Sequence, residues 1–188
     1  AKGGEARALM PDFQHEVMRA GWAADSRSIW IIVNTGVRVD LFQVDVAVPK
    51  PRQITSGDHA LVPQSWTTAG GRHAFMIDEP TRIGDIWTWT TGDTSAKRLT
   101  GIYDYLDRDF ALPRQERIEW TSADGTPIEG VLTYPIAYKP GTRYPLVVHL
   151  HGGLDHGRAV FRGLVGEIGR DLLLAELGAL VLAFPDQG

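Results

Sequence analysis

The sequence predicts a mixed fold: antiparallel blades of a β-propeller over residues 1–113, then the N-terminal part of a three-layer αβα domain over residues 114–188. Three observations carry this. The chain resembles itself at an offset of about 45 residues, the length of a propeller blade. Short β-rich runs alternate with turn clusters through its first half. Past Thr100 the pattern changes to a hairpin, an apolar strand, a stretch of helical spacing and a second apolar strand.

The repeat is visible in three places. Gly21-Trp22 answers to Ser65-Trp66, Asp40-Leu41-Phe42 to Asp85-Ile86-Trp87, and Arg52-Gln53-Ile54-Thr55 to Lys97-Arg98-Leu99-Thr100. Within the units, Ile29–Val33 follows the turn cluster Asp25-Ser26-Arg27 and Asp40–Val46 follows Asn34-Thr35-Gly36. Ala74–Ile77 follows Ala69-Gly70-Gly71, and Asp85–Thr90 follows Gly84. Asp, Asn and Gly supply the turn conformations that β-branched and aromatic residues avoid, so these runs read as strands. Trp22, Trp30, Trp66, Trp87 and Trp89 fall in or beside them, where a large ring fills the space between stacked blades. An all-β sandwich uses the same short strands; the blade-length offset favours the propeller.

Gly101–Pro113 reads as a polar and aromatic connector, and a new domain is expected from Arg114. Arg117–Thr121 is a predicted strand, Asp124-Gly125 a hairpin turn, and Ile128–Tyr134 its returning partner. Leu146–Leu150 is a nearly continuous apolar run of the kind covered on both faces. From Val160 to Leu177, Phe161, Leu164, Val165, Ile168, Leu172 and Leu173 recur at helical spacing, with Gly178 as a stop. Leu180–Phe184 is a further buried strand, expected to end the sheet with an apolar edge; on that account the isolated chain is expected to aggregate or melt with poor cooperativity.

Composition excludes several functions. The 188 residues are 43% hydrophobic, as in globular proteins, with a formal net charge of −4 and Lys and Arg scattered singly, so no nucleic-acid partner is expected. No apolar run approaches the roughly 20 residues of a membrane span, and no membrane partner is expected. Cysteine is absent, which rules out a thiolate nucleophile and leaves the compartment, cytoplasm or periplasm, unread. The start at Ala1 carries no readable targeting segment.

Arg117-Ile118-Glu119-Trp120-Thr121-Ser122-Ala123-Asp124-Gly125, Ile128-Glu129-Gly130, Tyr144-Pro145-Leu146-Val147-Val148 and His151-Gly152-Gly153 together resemble the prolyl oligopeptidase family of serine peptidases, in particular its acylaminoacyl-peptidase and dipeptidyl-peptidase branches. Trp22-Ala23-Ala24-Asp25 and Arg98-Leu99-Thr100 match the signatures of that family's late propeller repeats, while Trp66-Thr67-Thr68-Ala69 lacks the acidic turn residue. The resemblance implies a propeller joined to an α/β-hydrolase domain that cleaves short peptides through an acyl-serine intermediate, needs no cofactor, and has its triad beyond Gly188. Two departures leave the substrate class open. Leu154 stands where the family usually has proline, and the strand end reads Pro185-Asp186-Gln187-Gly188 rather than Pro-Arg-Gly.

Acyl transfer to serine turns a carbonyl into an oxyanion, and amides fixed beside it are a leading source of catalysis. In α/β-hydrolases one such donor comes from the loop after the third strand, often marked His-Gly-Gly. His151, Gly152 and Gly153 occupy that place, with an amide of Gly152 or Gly153 as the donor and His151 shaping the loop; the plainer alternative is a Gly-Gly turn that ends a strand. None of Ser26, Ser28, Ser56, Ser65, Ser95 or Ser122 stands in a Gly-x-Ser-x-Gly elbow, so no catalytic residue is expected in this segment. His149-Leu150-His151 with Asp155-His156 resembles the His-x-His-x-Asp-His site of metallo-β-lactamase-like hydrolases, but Asp155 arrives two residues late and no metal is expected. Glu116, Glu119, Asp124 and Glu129 read as a solvated hairpin face, and Arg158, Arg162 and Arg170 as the wet face of the helix. The expected partners are a peptide substrate and the remaining catalytic-domain polypeptide, with self-association left open. An esterase on the same fold and a non-catalytic propeller module are the alternatives.

Overall fold

A computed structural model describes residues 4–150 and 180–184. The predicted strands all form, with ends shifted by at most three residues, and four strands the turn pattern had not delimited appear beside them. β1 (Glu16–Trp22), β2 (Ser28–Asn34), β3 (Val39–Asp45) and β4 (Pro51–Gln53) make one antiparallel meander. β5 (Ala60–Ala69), β6 (Arg72–Glu79), β7 (Arg82–Thr90) and β8 (Lys97–Arg98) make the next, and one parallel bridge, Val39 to Ala60, joins them into an eight-stranded sheet.

Turn chemistry sets the registers. Asp25 Oδ1 accepts the amides of Arg27 and Ser28, each at 2.9 Å, which closes the β1–β2 turn and holds the Asp25 carboxyl below its usual range. Gly70 and Gly71 both take positive φ, 56° and 80°, as a two-residue hairpin whose twist matches its strands requires.

The two meanders pack through aromatic rings. Trp66 lies 4.5 Å from Trp30 of the first unit and stacks on His73 and Phe75 of its own, while His73 stacks on Trp89 at 5.0 Å. Trp30, Ile32, Leu41, Ile54, Leu61, Trp66, Phe75, Ile77 and Trp89 form this core. Burial lowers the pKa of His73, so the ring sits neutral between the indoles, its Nε2 3.0 Å from the Thr91 hydroxyl.

The connector carries a short helix, α1 (Asp104–Asp109), which periodicity did not reveal because none of its residues is buried. It is tied to the second meander by ion pairs, Arg98 to Asp104 and Arg82 to Asp107 at 3.2 Å.

A second, four-stranded sheet follows: β9 (Gln115–Thr121), β10 (Pro127–Thr133), β11 (Leu146–Leu150) and β12 (Leu180–Phe184), in the order β11-β12-β10-β9. β9–β10 is the expected hairpin, β12 runs antiparallel to β10, and β11 runs parallel to β12. One expectation is overturned. Leu180–Phe184 is not the edge of this sheet but lies inside it between β11 and β10, and among the described residues β11 and β9 are its edges. Because a parallel neighbour needs a crossover, the strand that follows in sequence was free to insert on the hairpin side. Leu146 and Val148 of β11 are exposed, so the predicted cover on both faces is not seen among the described residues. The predicted helix from Val160 to Leu177 lies outside them. Among the described residues, no helix is long and apolar enough to cross a membrane.

Candidate functional site

β11 and β12 are in parallel register from Leu146–Leu180 to Leu150–Phe184, so their carboxyl ends finish side by side. In open α/β sheets that edge is where ligands bind, because the loops leaving parallel strands converge there. His151-Gly152-Gly153 follows Leu150 directly in sequence. The tripeptide lies outside the described residues, as do Asp155, His156, Arg158, Arg162 and Arg170; of the alternative metal set, only the backbone of His149 is placed, opposite Ala183 on β12. Among the described residues there is no cluster of His, Asp and Glu that could hold a metal ion.

Three of the serines hold structural positions. Ser28 Oγ donates to Asp25 Oδ2 at 2.8 Å, and Ser65 Oγ donates to the Val62 carbonyl while accepting the Met76 amide at 2.7 Å, bridging the bulge in β5. Ser122 Oγ bonds the Asp124 carboxylate, and that bond, with the Thr126 amide, lowers the pKa of Asp124 to about 2.

Sequence reasoning matched Asp40 with Asp85 and Thr55 with Thr100 as letters and missed that each Asp is bonded to its Thr. Thr55 Oγ1 donates to Asp40 Oδ1 at 2.9 Å and accepts the Leu41 amide at 3.0 Å. One repeat on, Thr100 Oγ1 donates to Asp85 Oδ1 at 2.9 Å and accepts the Ile86 amide at 2.8 Å. The sequence signal was present in the equal Asp-to-Thr spacing of both units. Asp40 also accepts the Thr35 hydroxyl at 2.8 Å and faces His59 Nε2 at 3.1 Å. Burial pushes the Asp40 pKa up, but the imidazole of His59 and the two threonine hydroxyls outweigh it, leaving a net fall. With both oxygens engaged, this carboxylate is a structural anchor rather than a free base. Beside it lies a cavity of about 200 Å³ lined by Thr55, Ser56, His59, Glu79, Trp87 and Ser95 among others.

Glu129 departs from the solvated face assigned to it. Its carboxylate accepts the Val37 amide from the β2–β3 turn at 3.2 Å and pairs with Arg117 at 2.8 Å, while Val37 packs on Val131. Gly36, at φ 96°, permits this approach: a Cβ there would lie 2.2 Å from Glu129 Oε2. The two sheets therefore touch through this turn. Glu116 pairs with Arg114 and the Tyr134 hydroxyl, and Glu119 with Arg117.

The fold is similar to a part of known peptidases. The chain is 24% identical over 177 residues to dipeptidyl-peptidase 5 of Porphyromonas gingivalis, covering 92% of this chain and 25% of that protein. Over 77 residues it is 30% identical to the uncharacterized peptidase YuxL of Bacillus subtilis, covering 41% of this chain and 12% of that one. Among solved structures, the acylaminoacyl peptidase of Pyrococcus horikoshii superposes with a TM-score of 0.73 at 19% identity, over 96% of this chain and 26% of that one. No protein-family model matches. Homologues and structural neighbours are thus peptidases of the prolyl oligopeptidase family, and the chain spans 12–26% of their lengths.

Proposed function

We propose that residues 1–113 are the closing blades of a β-propeller and residues 114–188 the opening part of an α/β-hydrolase domain, in a serine peptidase that hydrolyses short peptides through an acyl-serine intermediate. The observation that carries this reading is the β11–β12 pair: an apolar strand whose carboxyl end, beside a parallel neighbour, leads into His151-Gly152-Gly153 in a chain whose homologues are peptidases. The order β11-β12-β10-β9 supports the hydrolase half, and two meanders of one repeat stacked through Trp30 and Trp66 support the propeller half.

In this reading an amide of Gly152 or Gly153 donates to the carbonyl oxygen as it becomes negative. Serine, acid and histidine come from polypeptide outside these 188 residues, consistent with the structural bonds of Ser28, Ser65 and Ser122. The chain alone is then inactive, and the propeller half screens substrates by size.

The test is kinetic and uses the longest natural polypeptide that contains this chain. An organophosphorus reagent should label one serine outside it. Replacing Gly152 or Gly153 by proline, which deletes the amide, should lower kcat on a short peptide by about 10²–10³-fold for whichever is the donor. Stoichiometric labelling of the 188-residue chain itself, or inhibition by chelators without serine labelling, would refute the proposal. Comparing peptide and ester substrates separates a peptidase from an esterase.

A further inference from the structure

The link from β4 to β5 and strands β6 and β7 border the cavity of about 200 Å³ beside Asp40, at the join of the two meanders. Buried Ile54 and Ile77 give it an apolar floor, and exposed Ser56 and Ser95 stand at its mouth. Gly57, at φ 111°, turns the link so that Ser56 and His59 both line the space.

Two buried nitrogens of its lining residues have no hydrogen-bond partner among the described residues. Trp87 Nε1 is one, whereas the nearby Trp89 donates its Nε1–H to the Asp93 carbonyl at 3.1 Å. The other is His59 Nε2. His59 is 4% exposed, and this nitrogen faces Asp40 Oδ1 at 3.1 Å without the alignment of a hydrogen bond, an oxygen that Thr55 already bonds. A buried polar atom left unpaired is costly, so a wall that keeps two of them calls for a partner from outside the chain. Packing does not require the indole. The repeat places Phe42 at the position of Trp87, and there the ring of Phe13 lies edge-on against it with centroids 6.3 Å apart.

The wall selects a class of ligand. The Glu79 carboxylate accepts hydrogen bonds, Trp87 Nε1 donates, and the Ser56 and Ser95 hydroxyls do both. Glu79 is held loosely by Arg82 at 3.8 Å, and Arg82 also serves Asp104 and Asp107. An anion would meet the negative charge of Glu79 and Asp40. An ammonium group, which only donates, would leave the indole N–H unpaired. Hydroxyl groups satisfy donor and acceptor alike. At about 30 Å³ per water the volume holds about six or seven waters, or one small ring. We propose that this cavity binds a small neutral polyhydroxyl molecule of monosaccharide size. Its hydroxyls bond Trp87 Nε1, Glu79 and the two serines, and its C–H face lies on Ile54 and Ile77. The inference concerns residues 54–96 and does not depend on the peptidase reading.

The test uses the longest natural polypeptide that contains this chain, with D-glucose, D-xylose and myo-inositol as probes in titration calorimetry. At least one should bind saturably. Trp87→Phe, which keeps a ring and removes the N–H, should weaken that binding by about tenfold, and Glu79→Ala should do the same. Propylammonium, acetate and acetamide should each bind more weakly than the best polyol. Three results overturn the proposal: no saturable polyol binding, in which case water alone fills the cavity; tighter binding of a small ion or the amide; or polyol binding untouched by Trp87→Phe. Should that variant fail to fold, Ser95→Phe decides from an exposed position. It fills the mouth and should abolish binding, and undiminished affinity overturns the inference. Labelling of the reactive serine by an organophosphorus reagent is untouched by Ser95→Phe, so the peptidase reading stands or falls separately.

Discussion

Replacing Thr55 by valine tests whether the Asp–Thr bond holds each repeat unit together. Valine keeps the volume and β-branching of threonine, so packing is nearly preserved and the hydroxyl alone is lost. Two bonds go with it: the one donated to Asp40 Oδ1 at 2.9 Å and the one accepted from the Leu41 amide at 3.0 Å. Thr55 and Asp40 are both buried, so water does not replace either. A hydrogen bond to a charged group contributes about 1.5–3 kcal/mol, and a stranded buried amide costs about 1–3 kcal/mol, so a loss of about 3–4 kcal/mol is expected after allowing for partial relaxation. Thr100→Val removes the equivalent pair in a part-buried setting, where Asp85 keeps the Ile102 amide at 3.1 Å and Arg98 at 3.5 Å, and should cost about 1–2 kcal/mol. Thr55→Ser, which keeps the hydroxyl, should cost about 1 kcal/mol or less. Urea unfolding followed by tryptophan fluorescence, at unchanged slope, reads all three. A Thr55→Val loss below about 1 kcal/mol, or a Thr100→Val loss equal to or above it, would refute the reasoning.

Three further outcomes are expected. Because the folded-state pKa of Asp40 is depressed, its contribution is present above the unfolded value of about 3.9 and is lost as pH falls through the folded one. The stability gap between the native chain and Asp40→Asn should therefore shrink as pH is lowered from about 5 to about 2, and a gap that widens on acidification contradicts this. Gly36→Ala places a Cβ 2.2 Å from Glu129 Oε2 at φ 96°; it should destabilise by about 1–3 kcal/mol and speed exchange of the Val37 amide, whereas Glu129→Gln, which still accepts that amide, should disturb exchange less. Leu146→Lys with Val148→Lys, on the exposed face of edge strand β11, should raise solubility in light scattering with little change in the urea midpoint; a large fall in that midpoint would mean the face is covered.

Much of this was legible in the letters. Runs of β-branched and aromatic residues between turn clusters located most strands to within one to three residues, since side-chain alternation and turn chemistry are local properties. The Asp124-Gly125 hairpin and the apolar β11 and β12 were readable for the same reason. What escaped depends on partners far along the chain. The position of β12 between β11 and β10 is a choice of neighbour that hydrophobicity alone does not encode, and Glu129 looked like a wet hairpin residue until the Gly36-Val37 turn came to meet it. For the oxyanion loop the sequence supplied the residue types and their place after β11, and the described structure supplies the strand end from which they depart.

Trp30 and Trp66 lie 4.5 Å apart at 34°, near enough for their electronic transitions to mix. The junction between the two meanders thus carries its own optical label: a coupled circular-dichroism band that vanishes when the rings separate, even while each meander keeps its strands. Sliding or parting of neighbouring repeats can be followed in the native polypeptide by that band, without attaching a dye.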